Sequence, residues 1–279
     1  MCGNLLIGTN NGLNEFDPAI EKSLAFRYNL RDENNNPDNV FYLYKDNQSI
    51  IWVGTNHGLK KIDRKSGQIT QYVNVPDKTN TLSHNVVTSI IEDHTGIIWI
   101  GTEKGGLNKF TPSSNSFVHY RHNPSNPFSL SVDNIQTIYQ DNAGILWIGT
   151  SLGGINKWDR TAEGIALFRH NPFNKESSLS SNQVRSIYLD DYHNLWVGTV
   201  DGGLNVWNLI LDRFTHLNYE EYNPNSISSN HVRTIMEDHN GNYWIGTDGG
   251  GLDFYNPIIG KFKHYRYTNR NNPAQSWPH

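Results

Sequence analysis

The tetrapeptide Trp-(Ile or Val)-Gly-Thr occurs at Trp52–Thr55, Trp99–Thr102, Trp147–Thr150, Trp196–Thr199 and Trp244–Thr247. Leu6-Ile7-Gly8-Thr9 is a sixth copy. The glycines Gly8, Gly54, Gly101, Gly149, Gly198 and Gly246 are separated by 46, 47, 48, 49 and 48 residues, so nearly the whole chain is one unit repeated. With a fixed period, every residue becomes a member of a column and is read together with its equivalents.

Within one unit, Val86 to Glu92 is rich in β-branched residues, and Asp93-His94-Thr95-Gly96 turns the chain into Ile97 to Gly101, which predicts a β-hairpin. A glycine turn, Thr102 to Gly106, leads into Leu107 to Phe110, and Ser113 to Ser116 leads into Phe117 to Tyr120. Four strands result, lettered a to d. Apolar residues alternate with period two and no stretch carries a helical stripe, so helix content is expected near zero. Short antiparallel strands recurring with an aromatic signature predict an all-β chain, a β-propeller of about six four-stranded blades. A β-sandwich gives no reason for six near-identical units.

The units divide the chain into a partial first blade at residues 1–38, blades at 39–84, 85–132, 133–181, 182–229 and 230–267, and a linker-like tail at 268–279. The first copy starts at strand b, so its innermost strand is missing. The tail resembles the linker that precedes strand a elsewhere. The expectation is part of a larger ring, with the missing strand supplied from beyond His279 and an open edge prone to self-association. The repeat Trp is expected between blades, where a buried indole removes about 150–250 Å² from water. Its Gly allows close backbone approach, and its Thr can bond the following turn.

Composition narrows the function. A net charge of −4 and scattered basic residues offer no phosphate-tracking surface, so no nucleic-acid partner is expected. Apolar runs such as Ile97-Ile98-Trp99-Ile100 fall far short of a bilayer span of about 20 residues. The single cysteine, Cys2, excludes an intrachain disulfide and a multi-thiolate metal site. Of the twelve histidines, His119, His216 and His264 recur in strand d, where equivalent positions radiate apart, so no metal and no cofactor are expected. The Asp-led turns lack the dense carboxylates of a calcium loop, and nothing has the form of a Ser-His-Asp arrangement.

The columns carry a resemblance. Ser129-Leu130-Ser131, Ile138, Asp141, Gly144, Trp147-Ile148-Gly149-Thr150 and Gly153-Gly154-Ile155-Asn156, with similar copies over residues 5 to 267, resemble the two-component regulator propeller family. The resemblance implies the periplasmic or extracellular sensing part of a bacterial hybrid histidine kinase or related signalling protein, often seven-bladed, non-catalytic and responsive to glycan fragments. Kinase, membrane helix and β-sandwich segments of such proteins have no counterpart in these repeats.

Strand alternation places the d-to-a linkers and the b-to-c glycine turns on one rim, and long linkers on a rigid scaffold favour binding there. At the start of strand a stands a polar column, Asp38, Asn85, Asp133, Asn182 and Asn230, which suits turn capping. A second column, Phe41, Thr88, Gln136, Arg185 and Arg233, varies from blade to blade, as one asymmetric ligand site requires. Arg185 and Arg233 can pair a carboxylate or sulfate. The candidate ligand residues are therefore Arg185, Arg233, Gln136, His231, Asn182 and Asn230, for a small molecule or oligosaccharide. Two alternatives stand beside this reading: a propeller lyase or hydrolase, for which His231 is the candidate, and a protein-interaction or dimerisation scaffold.

Overall fold

A computed structural model describes residues 4–20, 22–24, 30, 31, 35–161 and 164–266. Its contacts divide the chain into two compact units, Met1–Gly144 and Ile145–His279. The first unit opens with a three-stranded antiparallel sheet of β1 (Leu5–Thr9), β2 (Gly12–Asp17) and β3 (Lys22–Leu24). Two four-stranded sheets follow. One consists of β4 (Val40–Lys45), β5 (Ile51–Thr55), β6 (Gly58–Ile62) and β7 (Ile69–Tyr72). The other consists of β8 (Val87–Glu92), β9 (Ile98–Thr102), β10 (Leu107–Thr111) and β11 (Ser116–Tyr120). The fourth sheet has the order β12 (Ile135–Gln140), which lies in the first unit, then β13 (Leu146–Thr150), β14 (Ile155–Trp158) and β15 (Ala166–Phe168), which lie in the second.

The second unit continues with β16 (Val184–Leu189), β17 (Asn194–Thr199), β18 (Leu204–Asn208) and β19 (Arg213–Leu217). The last sheet holds β20 (Val232–Glu237), β21 (Tyr243–Thr247), β22 (Gly251–Asn256) and β23 (Lys261–Tyr265). Helical structure among the described residues is one three-residue turn, Lys175–Ser177. Strand order thus repeats a-b-c-d in five sheets and b-c-d in the first, as the repeat predicts.

Four a-to-b turns are stapled to the next strand by their own Asp. One carboxylate oxygen of Asp46 accepts the backbone N–H groups of Gln48 and Ile50, while the other accepts the Trp52 indole N–H at 2.8 Å. The same bond joins Trp99 to Asp93 at 2.9 Å, Trp196 to Asp190 at 2.9 Å and Trp244 to Asp238 at 3.2 Å. Burial alone would raise the Asp93 and Asp190 carboxyls, but bonds from the indole and the turn outweigh it and hold both below the usual carboxylate range. The turn needs a left-handed residue; Gly96 takes it at φ 80°, and Ser49 and His193, which replace glycine, take it at 66° and 63°.

The indole then packs on the following sheet. Trp52, 1% exposed, meets Phe110 edge-on at 5.6 Å in a core with Leu82, Val87, Ile90, Ile98 and Ile100. The motif's Gly admits the first residue of the next strand a at Gly54, Gly101 and Gly198: a Cβ on Gly54 would sit 2.8 Å from Val87 Cγ1, one on Gly101 2.6 Å from Ile135 Cγ2, and one on Gly198 2.6 Å from Val232 Cγ1. The Thr hydroxyl donates to the b-to-c turn, from Thr55 to the Gly58 carbonyl and from Thr102 to the Gly106 carbonyl, each at 2.9 Å.

The Ser-Leu-Ser and Gly-Gly-Leu-Asn motifs meet in a buried polar latch. Asn108, 0% exposed, accepts the Ser83 N–H at 2.9 Å and donates to Ser83 Oγ at 2.7 Å. Asn205 accepts the Ser180 N–H at 2.8 Å. The recurring histidines serve the same linkers: His119 and His216 bond the carbonyls of Thr81 and Ser178 at 2.7 and 3.0 Å.

Candidate functional site

The polar column fastens the rim. The backbone carbonyls of Asp38, Asn85, Asp133, Asn182 and Asn230 accept N–H groups from the preceding glycine turns at 2.7–3.0 Å, which puts linkers and b-to-c turns on one rim. Their side chains close the linkers: Asn182 Oδ1 accepts the His170 N–H at 2.8 Å, and Asn230 Oδ1 accepts the Tyr219 N–H at 2.7 Å. Both candidate asparagines therefore have their carbonyl oxygens engaged by the scaffold.

The varied column has a structural cause. In four of the sheets, the a-to-b pairing slips where this residue stands: between Val40 and Tyr42, Val87 and Ser89, Val184 and Ser186, and Val232 and Thr234. Phe41, Thr88, Arg185 and Arg233 are the extra residues of β-bulges. A bulge frees one residue from the ladder and re-aims its side chain. Replacing that residue leaves the strand pairing intact, so it can carry different chemistry in each blade.

Two bulges of the second unit bring charges together. Arg233 Nη2 donates to Asp248 Oδ2 at 2.6 Å, with both side chains about half exposed, and His231 Nδ1 lies 3.5 Å from the same oxygen. Arg233 holds the Asp248 carboxyl below its ordinary range, through the hydrogen bond first and its charge second. Desolvation, then the Arg233 charge, pushes Arg185 down, with Asp248 opposing. His231 is lowered by desolvation first and by Arg233 next, against Asp248, and its Nε2 is buried with no hydrogen-bond partner. Desolvation and the guanidinium charge thus disfavour the imidazolium form of His231. Gln136, in the first unit, donates to Asn134 Oδ1 at 2.6 Å, so its carboxamide N–H is engaged locally.

Sequence reasoning named Arg185, His231 and Arg233 but missed Asp248 and the nearby Asp201, whose charge also acts on His231. A signal existed. The residue after Trp-x-Gly-Thr also varies, through Asn56, Glu103, Ser151, Val200 and Asp248. Among the described residues, no three His, Cys, Asp or Glu side chains group to hold a metal.

Repeated four-stranded blades, four of them with a bulge-displayed side chain at the inner strand, define a β-propeller repeat protein. Residues 35–57, 81–104, 129–151, 178–201 and 226–249 match the family described as two component regulator propeller, and the chain belongs to that family. The extracellular domain of a putative hybrid two component system from B. thetaiotaomicron is 27% identical, with a TM-score of 0.69 over 80% of this chain and 29% of that one. The extracellular domain of a putative one component system from the same organism is 19% identical, with a TM-score of 0.54 over 94% of this chain and 41% of that one. PorZ, a surface component of the type-IX secretion system of Porphyromonas gingivalis, is 20% identical, with a TM-score of 0.67 over 89% of this chain and 36% of that one. The latter two share the fold alone. The chain thus spans 29–41% of the length of these structures. No curated protein matches its sequence.

Proposed function

We propose that this chain is the extracytoplasmic ligand-sensing propeller of a bacterial signalling protein, that it is non-catalytic, and that it binds glycan-derived ligands at the bulge column. One observation carries the reading. The scaffold positions recur from blade to blade, whereas the column that holds the bulge residues Phe41, Thr88, Arg185 and Arg233, with Gln136 as its fifth member, changes in every blade. The family and the extracellular two-component neighbour support the setting. With Arg185 and Arg233 near Asp248, the chemistry favoured is an acidic oligosaccharide whose carboxylate or sulfate competes with Asp248 for the guanidinium groups.

Calorimetric titration of uronate-containing and sulfated oligosaccharides tests this. Binding that weakens at least about tenfold in Arg185→Ala and Arg233→Ala, with unchanged far-ultraviolet spectra, is expected, since charge-assisted bonds contribute about 1.5–3 kcal/mol each. Affinity unchanged in both variants overturns the site. The lyase or hydrolase alternative rests on His231, whose imidazolium form is disfavoured, and turnover of the same oligosaccharides would favour it over sensing.

A further inference from the structure

The rim of the bulge column carries a second varied position, on the linkers. Four members of the polar column close a linker at its base, where their side-chain oxygens accept the N–H groups of Asn74, His122, His170 and Tyr219. Three residues beyond that bond stand Asp77, Ser125, Phe173 and Tyr222. The same linkers run into the strands that carry Thr88, Gln136, Arg185 and Arg233 in the bulge column. The two positions change together: Thr88 and Gln136 go with Asp77 and Ser125, whereas each arginine goes with an aromatic ring.

Phe173 and Tyr222 are 97% and 90% exposed, so neither ring serves the core. Their turns are held all the same. Asn171 Oδ1 accepts the Phe173 N–H at 3.0 Å, and Ser178 Oγ accepts the Asn171 N–H at 3.0 Å. Ahead of Tyr222, Ser226 Oγ accepts the Glu220 N–H at 3.0 Å and Asn223 donates to the Glu220 carboxylate at 2.8 Å. A fixed turn thus holds out a ring whose faces are free to stack. Phe128 is also exposed, but it belongs to a different turn, capped by Asn126.

We infer that Phe173 and Tyr222 are stacking platforms of the site at Arg185 and Arg233, and that the ligand is an oligosaccharide with its acidic group at one end and neutral sugars beyond it. This rests on the binding role proposed for the two arginines. Within each linker, ring and guanidinium diverge from one hydrogen bond, three residues to either side: Phe173 and Arg185 from the bond of His170 to Asn182, Tyr222 and Arg233 from that of Tyr219 to Asn230. The acidic end pairs with the guanidinium groups. The neutral sugars lay their C–H faces on the electron-rich faces of the rings. Glu220 and Glu221, exposed beside Tyr222, set this polarity, because a second carboxylate on the ligand would meet like charge there.

The test titrates three probes into the whole chain by calorimetry: glucuronate on one xylose, glucuronate on xylotetraose, and xylotetraose alone. The long acidic probe is expected to bind at least about tenfold tighter than either of the others. Phe173→Ala combined with Tyr222→Ala should erase its advantage over the short acidic probe, with Tm unchanged, whereas Phe173→Tyr combined with Tyr222→Phe should keep it. Tyr192→Ala, on an a-to-b turn of the opposite rim, should change neither affinity. An advantage that is absent from the unmodified chain, or that survives in the double alanine variant, overturns the platforms. If both acidic probes still weaken in Arg185→Ala and Arg233→Ala, that failure leaves the arginine site standing. Xylotetraose binding as tightly as the long acidic probe overturns the polarity, and binding of neither acidic probe overturns platforms and arginine site together.

Discussion

Truncating the same repeat Trp at two positions separates interblade packing from the staple within one sheet. Trp52 is 1% exposed, bonded to Asp46 and covered by Phe110 of the following sheet. Burying about 150–250 Å² at about 25 cal/mol per Å² gives roughly 4–6 kcal/mol, and large aromatic truncations cost about 3–5 kcal/mol. Trp244 has the same bond to Asp238, but it is half-buried and rests on Phe254 and Tyr265 of its own sheet, at 5.0 and 5.6 Å. With one face uncovered, Trp244→Ala should cost about half as much, near 2 kcal/mol. Urea unfolding of both variants, with slopes compared so that local opening is recognised, reads the difference. Equal losses would mean that the indole contributes through its Asp bond alone, and the interblade account would fail.

Acid should loosen the turns in a defined direction. The folded pKa values of Asp93 and Asp190 lie below those of an unfolded carboxyl, so their stabilisation is present above about pH 4. It is lost as pH falls through the depressed values, and in Asp93→Asn the acid-induced loss, followed by tryptophan fluorescence, should be smaller. At the bulge cluster, Arg233→Ala removes a cation that holds His231 down, so the His231 midpoint by NMR titration should rise. An unchanged or lower midpoint contradicts the coupling. Lys60→Ala should cost about 3–5 kcal/mol because it strands a buried carboxylate, that of Asp38. Lys60→Asn with Asp38→Asn should recover most of that loss in thermal unfolding.

The repeat made the strands legible almost to the residue, because six copies average out local ambiguity. The strands expected at Val86 to Glu92, Ile97 to Gly101, Leu107 to Phe110 and Phe117 to Tyr120 are observed at Val87–Glu92, Ile98–Thr102, Leu107–Thr111 and Ser116–Tyr120. The b-c-d order of the first sheet among the described residues was legible for the same reason. The Asp–Trp staple was not, because turn chemistry and indole burial each explained one residue without linking the two. The bulge was overlooked although its trace is present. Val184, Ser186 and Ile187 are all buried, so the inward positions run first, third, fourth instead of first, third, fifth. That break in period two marks where one residue leaves the ladder. Asn182 and Asn230 share the rim with the arginines, but sequence alone could not tell which polar atoms the scaffold already used.

Departures within the latch column follow one electrostatic rule. Asn108, Asn156 and Asn205 are wholly buried and neutral, which suits a site with no counter-ion. In the second sheet the column holds Lys60, 3% exposed, and there the polar column supplies Asp38 in ion-pair contact with it, with His57 Nδ1 3.0 Å from the same carboxylate. In the last sheet it holds Asp253, also wholly buried, and His264 comes within 2.7 Å. A charge enters this position only where a neighbouring side chain provides a partner, because a lone buried ion costs far more than the latch contributes. The bulge column is free of that constraint: Arg233 is half exposed and its charge is shared with solvent. Burial therefore decides which columns stay uniform and which can diversify, and the residue that the bulge releases from the ladder is among those free to differ.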